Sequence, residues 1–263
     1  MLKKRLIPKL LIKYQKLGNK IKPVLVTTSY FRNEITVGDP VSQAKIYEAQ
    51  FADELIVLNI DCSLIASDDL GLRLVERIAD EVFMPLTVGG GVRTIEDFQV
   101  LFERGADKIS INTVMFEDIT LISKSAYRYG NQCIVASIDF RTDQFGEAYV
   151  VRDRAKTDTD IKLIDWVQKV VTAGAGEILL TDVDRDGSNN GLNLPVCKMI
   201  ASSVPVPVII SGGCGLAEHF VDGFQEGLAE GVAAGTFFCF RDQNLMQTRS
   251  HIRNAGVPIR MET

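Results

Sequence analysis

Long apolar runs are missing from this sequence. Nowhere do about 18 uncharged apolar residues stand together, and the basic start MLKKRLIPKLLIKYQKLGNK is apolar only from Leu6 to Ile12, broken at Pro8 and Lys9. A spanning helix or a signal peptide needs a longer unbroken core, so the chain reads as soluble and cytoplasmic. Metal ligands are scarce too. There are only two histidines, His219 and His251, and the five cysteines (Cys62, Cys133, Cys197, Cys214, Cys239) lie far apart with no Cys-x-x-Cys. That pattern gives no metal site and no disulfide framework; the cysteines read as buried thiols. A surplus of positive charge is also lacking. The net charge of −5 offers no basic face to nucleic acid or an anionic membrane.

What the chain has is apolar mass and a repeat. Apolar residues make up 46% of 263, enough for a large core. Barrels of alternating strands and helices run to ~250 residues, so residues 1–263 are expected to form one domain. PLTVGGGVRTIEDFQVLFERGADKISINTVMF (85–116) and PVIISGGCGLAEHFVDGFQEGLAEGVAAGTFF (207–238) share one order of proline, β-branched run, glycine cluster, helix and short strand. Pro85 with Pro207, Gly90 with Gly212, Gly91 with Gly213, Phe98 with Phe220 and Gly105 with Gly227 all differ by 122, and ELIVLNID (54–61) against EILLTDVD (177–184) differs by 123. Strand–glycine–helix units resemble one another by chance, but two blocks agreeing on nearly one shift point to a duplicated half.

The patterning predicts strands at 5–12, 54–60, 85–90, 108–112, 132–140, 177–183, 206–210 and 231–235. Between them it predicts helices at 40–52, 68–81, from Thr94, and at 120–129, 162–173, 194–202, 217–226 and 245–255, with a polar-alternating hairpin arm at 147–153. Asp39 before Pro40 and Thr94 with Asp97 read as helix caps. Buried-type strands each followed by a helix give an α/β fold, a closed (β/α)8 TIM barrel of two repeated half-barrels; an open doubly wound sheet is the alternative.

In such a barrel, function lies at the C-terminal strand ends. Gly90 and Gly91 follow the third strand, Asn112 and Thr113 the fourth, Gly212 and Gly213 the seventh, and Gly235 and Thr236 the eighth. Without a Cβ, glycine lets an anion approach backbone N–H groups, so two phosphate cradles half a barrel apart are expected, fitted to a phosphorylated small molecule. Such glycines also serve plain tight turns. No cofactor is called for, because the pattern is not a dinucleotide-binding G-x-G-x-x-G. Asp139 ends the fifth strand, where partial desolvation would equip it for acid or base chemistry. Asp61 ends the second strand, and Asp182, Asp184 and Asp186 follow the sixth, with Gly187 allowing the turn. A strand-end aspartate can equally be a loop cap.

The segments RLIP, GDPV, DELIVLNI, PLTVGGGVRT, RGADKISINT, GAGEILLTDVDRDG and IISGG resemble the cyclase subunit of imidazole glycerol phosphate synthase across nearly the whole chain. That resemblance implies a substrate held by two phosphates, with Asp186 and Gly187 joining the cradles. It implies a lyase that uses ammonia arriving through the barrel from a glutaminase subunit on the N-terminal face, and two aspartates, ending strands one and five, for acid/base work. Asp139 matches the second. The first falls on Leu11, which cannot exchange a proton. The loop after strand one is replaced by a longer stretch (13–37), the hairpin segment reads RDRAKTD (152–158), and Asn59 stands at another family aspartate. The family's charged ring for ammonia passage is present in type as Arg5, Glu54, Lys108 and Glu177, although such residues are also ordinary solvated strand-start charges. The I-P-x-L-L start is similar to a branch associated with acetamidino modification of bacterial surface sugars, which feeds ammonia to a separate amidotransferase. Three roles stay open: ammonia supply for sugar amidation, the histidine-pathway cyclase, and a non-catalytic activator of a glutaminase.

Overall fold

The computed structural model describes residues 3–61, 70–240 and 244–260. Its strands are β1 (Arg5–Leu17), β2 (Lys20–Thr27), β3 (Ile35–Gly38), β4 (Leu55–Asn59), β5 (Leu86–Gly89), β6 (Lys108–Ile111), β7 (Ile134–Thr142), β8 (Ala148–Arg152), β9 (Thr157–Lys162), β10 (Glu177–Asp182), β11 (Val208–Ser211) and β12 (Gly231–Ala234). Eight of them pair in parallel in the order β10, β11, β12, β1, β4, β5, β6, β7, and the pairing of β7 with β10 closes the ring. This is the (β/α)8 barrel that the sequence predicts. Closure removes the sheet edges, and the helices cover the outer face.

The helices are α1 (Pro40–Ala49), α2 (Leu70–Ala79), α3 (Ile95–Glu103), α4 (Val114–Glu117), α5 (Thr120–Tyr129), α6 (Leu163–Ala173), α7 (Leu194–Ala201), α8 (Glu218–Gln225), α9 (Thr236–Phe240) and α10 (Leu245–Asn254). Asp39 caps α1 by accepting from the Ser42 N–H, and Thr94 with Asp97 forms a capping box on α3. The helix expected from Asp68 is described from Leu70, so its first turn, like Cys62, lies outside the described residues. The helix α1 ends at Ala49, about a turn before the expected Ala52, because Phe51 turns left-handed at φ 59°. The short helices α4 and α9 were not anticipated; their first residues are 122 apart, so they too repeat.

Two arms rise from the mouth. β1 does not stop at Ile12 as its apolar run suggests. It runs on to Leu17 because β2 offers antiparallel partners from Val26 opposite Leu11 to Lys20 opposite Leu17, and β3 completes the arm. The expected hairpin at 147–153 is β8 with β9.

Between barrel and helices lies the main core, with Phe98, Phe140, Phe220 and Phe237 fully buried. A second cluster fills the barrel interior: Ile7, Ile56, Val135, Leu179, Ile209 and Ala233, from six different staves. Cross-stave register matches the two halves residue by residue. Leu11 pairs with Leu58 and Asp139 with Thr181, and Leu58 and Thr181 are 123 apart, so Leu11 and Asp139 hold equivalent places.

Candidate active site

Side chains alternate along a strand, and β1 therefore sends Arg5, Ile7, Lys9 and Leu11 into the barrel at successive heights. Arg5 reaches the lower rim, Ile7 the interior apolar layer, and Lys9 and Leu11 the mouth. At the lower rim Arg5 donates to Glu54 (2.8 Å) and Glu177 (2.5 Å), while Lys108 lies 3.0 Å from Glu54 and 2.7 Å from Glu177. The four charges form one closed alternating ring, with Thr87 Oγ1 donating to Glu54 at 2.7 Å. Both glutamates are buried, so they are not plain solvated strand-start charges. The ring and the apolar layer above it separate a basin of about 460 Å³ on the N-terminal face from the mouth.

At the mouth, a chamber of about 330 Å³ is lined by Gly90, Gly91, Asn112, Thr113, Asp139, Lys9, Leu11 and Arg154, among others. Gly90 and Gly91 take φ values of 104° and 84°, and a Cβ on Gly90 would stand 2.1 Å from the Asn59 carbonyl oxygen. Only glycine fits there. Asp139 is buried and accepts one hydrogen bond, from Asn112 Nδ2 at 2.9 Å. Burial pushes its carboxyl up to about 6, against the opposing pull of that hydrogen bond and the charge of Lys9. Lys9 is buried as well and donates to Ser211 Oγ at 2.7 Å. Burial lowers its pKa, opposed by Asp186, Asp139 and Cys214.

The second predicted cradle has the same backbone and much less room. Gly212 and Gly213 have φ 93° and 111°, and a Cβ on Gly212 would lie 2.5 Å from the Asp182 carbonyl oxygen, as Gly90 does against Asn59. With Gly235, Thr236, Asp186 and Gly187 they line a space of only about 30 Å³. The loop between β2 and β3 fills the rest. Thr28 Oγ1 donates to Asp186 Oδ2 at 2.7 Å, the Phe31 N–H donates to the same oxygen at 3.2 Å, and the Tyr30 N–H donates to the Asp186 carbonyl at 2.8 Å. Glu34, at the end of that loop, pairs with Lys13 on β1 and, at 2.8 Å, with Arg154 after β8, tying the two arms together across the mouth.

The remaining aspartates are occupied as caps. Asp61 accepts from the Tyr14 N–H at 2.8 Å, and Asp182 accepts from Asn193 Nδ2 at 2.7 Å and from the Asp184 N–H at 3.0 Å. Asp184 pairs with Arg141 at 3.1 Å. Cys197 and Cys214 are buried, and burial pushes the Cys197 thiol up to about 12. Sequence reasoning missed Lys9, Thr28 and Arg154. Lys9 was within reach, because alternation from Arg5 through Ile7 places it inside; Thr28 and Arg154 depend on how the arms fold back, which no local pattern carries.

No helix among the described residues is long and apolar enough to cross a membrane. Residues 7–244 match the family described as "Histidine biosynthesis protein". A protein of Prochlorococcus marinus (strain MIT 9313), named "Putative imidazole glycerol phosphate synthase subunit hisF2", is 47% identical over 264 residues that cover the whole of both chains. With a match across nearly all of its barrel and a full-length relative, the chain belongs to the histidine biosynthesis protein family.

Proposed function

We propose that this chain is the ammonia-receiving barrel subunit of a glutamine amidotransferase complex. A glutaminase subunit docks on the N-terminal face, ammonia passes up the barrel, and at the mouth it is delivered for amidation of a sugar in surface-polysaccharide biosynthesis, directly or through a separate amidotransferase. A phosphorylated small molecule sits at the Gly91 and Thr113 loops. The observation that carries this reading is the register that matches Leu11 to Asp139: one half-barrel keeps a mouth carboxylate and the other has leucine, while the ring below is complete. A ring worth keeping without the paired carboxylates fits a conduit.

Closed as it stands, the ring must part for ammonia to pass, and partner docking is the natural trigger. Lys3, Lys4 and Arg260 join the ring cations Arg5 and Lys108 around the basin beneath it, against Glu177 and Glu230, and this positive excess suits a partner with an acidic rim. Neutral ammonia crosses the apolar layer above at far smaller desolvation penalty than ammonium.

The test pairs the chain with a glutaminase and follows nitrogen from labelled glutamine into a sugar product. Lys108→Ala and Glu177→Ala are expected to abolish glutamine-dependent labelling and to spare labelling from added ammonium salt. A second reading, the histidine-pathway cyclase, is favoured by the name of the Prochlorococcus relative. Rapid consumption of the phosphoribosyl formimino substrate with ammonium salt would establish that reading and remove the first.

A further inference from the structure

A lysine buried in an apolar barrel is costly unless a carboxylate neutralises it, and an unpaired one marks a site that uses the amine. Lys9 is 6% exposed, and among the described residues it makes one hydrogen bond, to the neutral Ser211 hydroxyl, and no ion pair within 4.0 Å. Its register partner on β4 is the apolar Ile56. Among the described residues no other lysine lines the 330 Å³ chamber, and that chamber also holds Asp139 and the Gly90 and Gly91 turn. Lys9 also lines the small space at Gly212 and Gly213, where its partner Ser211 lies, so it stands between the two turns. An amine, a carboxyl group and an anion-sized turn thus line one half-open chamber, on the stave where the resemblance leads one to expect a carboxylate two residues higher.

We propose that Lys9 is a nucleophilic amine and that the chamber takes a phosphorylated carbonyl compound, such as an open-chain sugar phosphate, holding it as an imine on Lys9. The Nζ lone pair attacks the carbonyl carbon; the C–N bond forms and the carbonyl π pair moves to oxygen. Asp139 in its acid form protonates that oxygen and takes back one of the two nitrogen protons, which leaves a neutral carbinolamine; it then protonates the hydroxyl, which leaves as water as the nitrogen lone pair closes the C=N bond, and the remaining nitrogen proton returns to the Asp139 carboxylate. Amine and carbonyl compound give imine and water, with no oxidant or reductant needed. Two electrostatic tendencies support the step: burial favours the uncharged amine at Lys9 and the protonated acid at Asp139. The groups that oppose the first are Asp186 from the loop after β10, Asp139 from β7 and Cys214 after β11.

The inference rests on the phosphate-cradle part of the proposed function and is independent of glutaminase coupling. It is tested on the full chain with pyridoxal 5′-phosphate, an aldehyde carrying a phosphate, followed by borohydride reduction and peptide mass mapping. The expected result is an adduct on Lys9 that forms at lower pH than adducts on the exposed lysines. It should be suppressed by ribose 5-phosphate and absent from folded Lys9→Met and Lys9→Arg. Direct borohydride trapping of ribose 5-phosphate on Lys9 should follow. Adducts on exposed lysines with none on Lys9 overturn the proposal. So does loss of inorganic phosphate binding in Lys9→Met without any adduct in the parent chain, because Lys9 would then be an anion ligand only. Failure of nitrogen transfer from glutamine with the Lys9 adduct present would remove the ammonia reading alone.

Discussion

The two glycine turns at the barrel mouth are built alike and used differently. Gly90 presses on the Asn59 carbonyl and Gly212 on the Asp182 carbonyl, at positions related by the repeat shift, and short helices follow both β6 and β12. Yet one turn opens on about 330 Å³ and the other on about 30 Å³, which is room for about one water molecule. The difference comes from outside the repeat. Residues 13–37 belong to one half only, and their loop lies in the second turn, latched to Asp186. A duplicated backbone therefore says where an anion could bind, and the unduplicated arm decides where it can. The halves differ again at Leu11 and Asp139, one register place with and without a proton to exchange.

If the shared backbone is the conserved part of the comparison, equal lesions in it should hurt equally. Gly90→Ala and Gly212→Ala each force a Cβ to within 2.1 and 2.5 Å of a carbonyl oxygen at positive φ. Strain and overpacking together should cost about 4 kcal/mol in each, measured by urea denaturation. A cost confined to one turn would break the equivalence.

The Leu11 and Asp139 contrast can be sharpened with pH. The folded chain holds the Asp139 proton more tightly, since its pKa rises from 3.8 to about 6. Between these values the folded state binds more protons than the unfolded, so stability falls as pH rises through that window and is level above it. The ionised carboxylate should cost about 3 kcal/mol at pH 7.5. Asp139→Asn is thus expected to stabilise the chain by that amount at pH 7.5 and by nothing near pH 4, read from thermal melts across pH. Leu11→Ala, at the equivalent place, should show no such slope.

The barrel itself was legible because parallel staves are buried on both faces and appear as Val, Ile and Leu runs, and because Asp39, Thr94 and Asp97 are local caps whose partners lie three residues away. The glycine turns were legible by their spacing. Arm contacts were not. Thr28 meets Asp186 across 158 residues and Glu34 meets Arg154 across 120, so neither pair leaves a trace in local pattern. For the same reason the sequence suggested two equal cradles: it displays the glycines and hides what lies on them. The ring residues could be named by their places at strand starts, whereas their closure into one paired circuit needed the barrel's diameter.

The smallest expected effect bears most directly on the two turns. Asp186 holds the arm loop by accepting from the Thr28 hydroxyl and the Phe31 N–H on one carboxylate oxygen. Asp186→Ala removes both hydrogen bonds, and because the loop is partly exposed the loss in global stability should be about 1 kcal/mol. Its effect on anion binding should be qualitative. The parent chain is expected to bind one inorganic phosphate, at Gly91 and Thr113, in a calorimetric titration; Asp186→Ala, with the loop released from Gly212 and Gly213, should bind a second. Removal of the carboxylate also takes a negative charge from the edge of that turn, so a weak second site could arise from charge alone. Thr28→Val separates the two causes, since it loosens the latch and leaves Asp186 charged. A second phosphate in both variants would mean that the arm is what closes the cradle; a second phosphate in Asp186→Ala alone would mean that repulsion by the carboxylate is.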